Sequence, residues 1–89
     1  MAAITNTSVL GNVIRSRRTS LGLRQQDLAL ATNVGVRFIV DLEHGKETCR
    51  IGLVLRILHA LGIELAADMS PVPAASADGE TFDPDTFTP

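Results

Sequence analysis

Glycines at positions 22, 35, 45 and 62 cut the front of this 89-residue chain into short segments, and each segment carries apolar residues at helical spacing. That punctuation leaves room only for helices of a few turns joined by tight links, and so for a small helical bundle. From Ser8 to about Ser20, the residues Val9, Leu10, Val13, Ile14 and then Leu21 form one stripe. Arg15, Arg17 and Arg18 lie largely off it, and Ser8 suits the N-cap. A second helix is expected from about Arg24 to Ala31, with Leu28 and Ala31 inward. Thr32-Asn33-Val34-Gly35 then makes a tight connection in which Asn33 suits a positive φ. The third helix, about Val36 to His44, turns Ile39 and Leu42 inward.

The fourth helix, about Cys49 to Leu61, carries Ile51, Val54, Leu55, Leu58 and Leu61 on one face and Leu53 and Ile57 on a second. A domain this small has too little core to bury both faces. The surplus face is expected to be a subunit interface. After Gly62, Ile63, Leu65, Ala67 and Met69 alternate with Glu64, Ala66 and Asp68, which is strand periodicity. A lone strand has no partner within this chain, so it must pair with another chain or remain extended. Leu53, Ile57, Ile63, Leu65 and Ala67 are therefore the expected dimer contacts. The domain is assigned to residues 8–69. From Ser70 to Pro89 the four prolines, small residues and acids mark a disordered tail.

Charge is distributed unevenly. The net charge is −2, yet all eight basic residues lie between Arg15 and Arg56, where there are only four acids. Residues 57–89 hold six acids and no Lys or Arg. The result is a basic body with an acidic tail, a pattern that points to nucleic acid for the body. Arg15, Arg17 and Arg50 fit a solvated helix face as readily as a DNA contact, and Arg56 fits a structural role better. A single cysteine, Cys49, excludes an internal disulfide and a multi-cysteine metal site. His44 and His59 have no Cys or acid cluster around them. No glycine-rich phosphate loop and no nucleophile–base pair stand out, so neither catalysis nor a cofactor is expected. The N-terminus has no basic region and no long apolar run, which leaves a soluble, cytoplasmic protein as the expectation.

The informative stretch runs from Arg24 to Lys46. Two short helices meet at a tight turn, with small Ala29 at their crossing, Val34 sealing the turn, and Ile39 and Leu42 anchoring the second helix. Val36, Arg37, Val40, Asp41 and His44 are then left outward, free to meet base edges. The run Leu21-Gly22-Leu23-Arg24-Gln25-Gln26-Asp27-Leu28-Ala29, followed by Val34, Ile39, Leu42-Glu43 and Gly45-Lys46, resembles the Xre/Cro/C1-type helix-turn-helix family of phage repressors. With Arg37 to Glu43 and Leu55 to Gly62 added, the chain is most similar to HipB-type antitoxins. The resemblance covers roughly Leu10 to Met69.

The resemblance implies an all-α, lambda-repressor-like fold of four helices plus a C-terminal strand that pairs across a homodimer. It also implies roles. Gln25 would contact a phosphate. Val36 would touch a thymine methyl, Arg37 would pair with a guanine, Asp41 would accept from cytosine N4, and Val40 would lie beside them. Arg24, Gly35 and Lys46 complete the implied DNA-binding set. Arg18 and Glu43 match a structural ion pair. Arg24 stands where the family usually caps the second helix with Thr or Ser, and Gly35 where a polar cap is commoner. The implied activity is repression of its own operon and neutralisation of a HipA-type kinase toxin. Phe82 and Phe87, spaced by acids and proline, have the make-up of a docking peptide for such a partner. The alternatives are a stand-alone Xre-type repressor and an interaction-only antitoxin subunit with a vestigial DNA face.

Overall fold

A computed structural model of the chain describes residues 3–67 and residue 69. Four helices follow in order: α1 (Thr7–Ser20), α2 (Gln25–Thr32), α3 (Val36–Glu43) and α4 (Ile51–Ala60). α3 packs against both α1 and α2, and α4 packs against α2. Their shared core is Ile14, Leu28, Ala29, Ile39, Leu42, Val54, Ile57, Leu58 and Leu61. Leu10, Leu23, Val34, Phe38, Cys49 and Ile63 close its rim.

The helix ends follow local chemistry. α1 is capped two residues earlier than its apolar stripe predicts. Asn6, not Ser8, is the N-cap, and its side-chain oxygen accepts from the Val9 N–H at 2.8 Å. Leu21 does not join the apolar stripe. It is the C-cap, 46% exposed, because the helix has already ended before it can turn inward. α2 ends at Asn33, whose φ of 57° lies in the left-handed region that an asparagine tolerates. Inside α2 the buried small residue is Ala29, while Ala31 is exposed. Thr32 is buried and returns its hydroxyl to the Leu28 carbonyl at 2.7 Å.

α4 departs most from expectation. It begins at Ile51 after Arg50, not at Cys49. Its buried residues, Val54, Ile57, Leu58 and Leu61, repeat at i, i+3, i+4 and i+7. That stripe puts Ile57 at 0% exposure, in the core and not on a subunit interface. Ile51 and Leu55, expected in the core, are 67% and 48% exposed instead. The expected strand is also not formed among the described residues. Residues 63–67 are neither helix nor strand, as expected for a segment with no pairing partner in its own chain. The Ile63 N–H instead donates to the Leu58 carbonyl at 2.9 Å, which holds the chain against the end of α4. The tail, with Phe82 and Phe87, lies outside the described residues. Among the described residues no helix is long and apolar enough to cross a membrane.

Candidate nucleic-acid interface

The second helix of the α2–α3 pair is presented outward by the way it is anchored. Ile39 and Leu42 are 0% and 2% exposed, so the opposite stripe of α3 must face away from the core. Val36, Arg37 and His44 are exposed on that stripe, and Val40 and Asp41 are half-buried. Gly35 caps α3 without a side chain, and nothing lies within 4 Å of where its Cβ would be. The first turn of α3 is therefore open to an incoming backbone or base.

Three charged groups organise this face. Asp41 sits between two cations, with its Oδ1 3.2 Å from Arg37 Nε and its Oδ2 3.5 Å from Lys46 Nζ. The Lys46 N–H also donates to the Asp41 carbonyl at 3.0 Å, so the residue after Gly45 is folded back onto α3. The family resemblance implies that Asp41 accepts from a cytosine. The structure gives it another occupation, since both carboxylate oxygens already face cations. The side chain of Arg37 is nevertheless 82% exposed, so its guanidinium edge remains available.

The base of the site is a buried network. Arg18, 8% exposed, donates from Nε to Glu43 Oε2 at 2.6 Å and from Nη2 to Glu43 Oε1 at 3.0 Å. Its Nη1 donates to the Leu23 carbonyl at 2.7 Å. One guanidinium thus ties α1 to the end of α3 and to the loop leading into α2. Its hydrogen bonds to Glu43 outweigh desolvation and raise the Arg18 guanidinium above its usual value. Gln25 joins the same network by donating its amide to Glu43 Oε1 at 3.1 Å. That bond holds the first residue of α2 against the end of α3. Arg24, before it, is exposed and pairs with Asp27 at 3.3 Å. Asp27 also accepts from the Arg24 N–H at 2.9 Å, and this bond leads in lowering its carboxyl below the usual value. A carboxylate in the first turn so takes over part of the capping that Arg24 cannot supply.

Two residues have structural roles that the sequence did not assign to them. Gly11 lies where α1 crosses the end of α3, and a Cβ there would stand 2.6 Å from the carbonyl oxygens of Leu42 and Glu43. Arg17 donates from Nε to the Leu61 carbonyl at 2.9 Å, closing the end of α4. A glycine in mid-helix is the one mark that pointed to the first. Arg56 donates to the Thr32 carbonyl at 3.2 Å and so serves the end of α2. Of the expected dimer contacts, Leu53 and Ile63 are half-buried, Leu65 and Ala67 are exposed, and Ile57 is in the core.

The helix-turn-helix family model matches residues 14–67, from the middle of α1 through the segment after α4. The chain belongs to the helix-turn-helix family of DNA-binding proteins. The helix-turn-helix protein y4mF of Sinorhizobium fredii, an uncharacterised HTH-type transcriptional regulator, is 48% identical over 56 residues, which is 63% of this chain and 74% of that one. Among solved structures the helix-turn-helix unit is similar to HipB in a HipB-O1-O2 complex, with a TM-score of 0.71 at 19% identity over 78% of this chain and 100% of the other. It is equally similar to a chain of a HipA-HipB-O2-O3 complex, with a TM-score of 0.72 at 18% identity over 80% of this chain and 100% of that one. At that identity the likeness is one of fold.

Proposed function

We propose that the protein is a sequence-specific transcriptional repressor that binds an operator as a homodimer, as the antitoxin of a HipBA-like pair that also neutralises a kinase toxin. The observation that carries this reading is the outward stripe of α3, with Arg37 exposed near its start and an open first turn. Arg37 reads a guanine through its free edge, while Val36 gives apolar contact to a thymine methyl. Gln25, Arg24 and Lys46 flank the stripe and meet the phosphates. Two such units related by a two-fold axis place their recognition helices about 34–36 Å apart, one turn of DNA. The toxin partnership draws its support from the fold likeness to HipB, one example of which is in complex with HipA. In this reading the chain is cytoplasmic and carries no catalysis and no cofactor.

The test is a fluorescence-anisotropy titration of the DNA upstream of its own gene at two salt concentrations, with Arg37→Ala alongside. Tight, salt-sensitive binding that random DNA cannot displace, lost in Arg37→Ala, is the expected result. Binding no better than to random DNA, or an unaffected variant, would sink the repressor and leave an interaction subunit. Purification with the neighbouring gene product, with and without residues 70–89, then tests the toxin partnership.

A further inference from the structure

Asp41 places a carboxylate on the outward face of α3, and a negative charge on a surface that meets phosphates opposes binding unless it is cancelled. Here a cation stands at each oxygen. Oδ1 lies 3.2 Å from Arg37 Nε, and Oδ2 lies 3.5 Å from Lys46 Nζ. Two cations against one anion leave the cluster positive. Exposure divides it the same way. The Asp41 side chain is 22% exposed, against 82% for Arg37 and 54% for Lys46. The acid is the sheltered member, and the two cations are what an approaching duplex meets.

Helix geometry sets up the contact. Residues at i and i+4 share a face and side chains lean toward the N-terminus, so Asp41 leans back toward Arg37. Lys46 reaches the other oxygen because the chain turns at Gly45, with a φ of 81°, and the Lys46 N–H donates to the Asp41 carbonyl at 3.0 Å. With the cation ahead of the acid, an i, i+4 pair is in its less favourable order for helix stability. An exposed pair of this kind does little to hold a fold. What it does is restrict Arg37. Nε is the nitrogen on the stem side of the guanidinium, so a contact there leaves the terminal N–H groups for another partner.

We propose that Asp41 is a positioning residue for base recognition: it anchors Arg37 at Nε so that the terminal N–H groups meet N7 and O6 of one guanine, and it touches no base itself. This rests on the DNA-binding reading and replaces the cytosine contact that the family resemblance implies for Asp41. An unanchored arginine on a helix surface has many rotamers. It must be ordered on binding, and it is free to turn to a phosphate or a neighbouring base instead. Anchored, it presents two donors in a fixed fork. Guanine offers two acceptors to that fork, whereas adenine sets an amino donor against one of the N–H groups. Asp41 thereby turns an attraction to negative charge into a choice among bases, and Lys46 holds the carboxylate from its other side.

The test measures discrimination between bases. The full chain is titrated by anisotropy against its upstream duplex, against versions of that duplex with each base pair changed in turn, and against a scrambled duplex. Arg37→Ala identifies the guanine, as the pair whose replacement no longer matters. Asp41→Ala is expected to lose about fivefold of the discrimination at that same pair, and to lose nothing further there in the Arg37→Ala background. Asp41→Glu, which still reaches Arg37, is expected to restore most of it. Asp41→Ala is also expected to bind the scrambled duplex more tightly, since a negative charge is gone, a gain that damage to the fold would not give. If Asp41→Ala keeps the discrimination at the guanine, relaxes a different pair whether or not Arg37 is present, or weakens every duplex equally, the anchor is wrong and the DNA reading stands. If the native chain prefers none of these duplexes to the scrambled one, the DNA reading fails and the anchor with it.

Discussion

Arg18 illustrates how much one side chain decides in a domain of this size. Three of its N–H groups reach Glu43 and Leu23, and the pair it forms with Glu43 leaves side chains only 10% and 3% exposed. Removing one partner strands a buried charge. Arg18→Ala is therefore expected to cost about 3–5 kcal/mol in urea unfolding, a large share of a small domain's stability. Replacing Arg18 and Glu43 together by Met removes both charges and is expected to cost far less, so the double-mutant cycle reads the cost of stranding. Asp27 behaves differently because it is exposed. Its carboxyl is lowered by the Arg24 N–H first and the Arg24 side chain second, so its contribution is present above the ordinary carboxyl range. It is lost as pH falls through the lowered value, below about pH 4. Asp27→Asn should show a flatter loss of stability than the native chain between pH 5 and pH 2, measured by thermal unfolding at each pH.

At the scale of the element, the sequence made three helices legible and misplaced part of the fourth. Glycine punctuation and the Ile39–Leu42 anchor were enough for α3, because a helix held by two neighbouring turns has only one possible outward stripe. α4 was harder to read. It is apolar on more than one side, so periodicity alone could not say that Ile57 points inward and Ile51 and Leu55 outward. Packing against α2 makes that choice, and packing is not written in a single helix. The Asp41 ion pairs were missed for a related reason, since Lys46 returns to α3 only because the chain turns back at Gly45. Gly11 shows the same limit. Its value lies in what a Cβ would strike, the last carbonyls of α3 at 2.6 Å. Gly11→Ala raises helix propensity, yet is expected to destabilise by about 1–3 kcal/mol through overpacking, a sign that denaturant unfolding decides directly.

At the scale of the whole molecule, large apolar side chains are exposed among the described residues. Ile51, Leu55 and Leu65 are 67%, 48% and 53% exposed. In a domain with so small a core, this surface favours a second copy as its cover. The unfolding midpoint should then rise with protein concentration, because association stabilises only the folded chain. Leu65→Asp should remove that concentration dependence while leaving the dilute-limit midpoint nearly unchanged. A midpoint independent of concentration in the native chain would count against the homodimer.

The seam between α1 and α3 has a dynamic consequence. Helices that touch ligands are often drawn from the least stable part of a fold, where they open on their own. Here the last turn of α3 is pinned by Gly11 against its carbonyls, by Arg18 on Glu43 and by Leu42 in the core. To open, α3 must part from α1 at all three places. Its inner amide protons should therefore exchange with deuterium no faster than those around Ile14, at the rate set by unfolding of the entire bundle. The helix that meets DNA would then arrive already rigid, with none of its binding energy spent on ordering it.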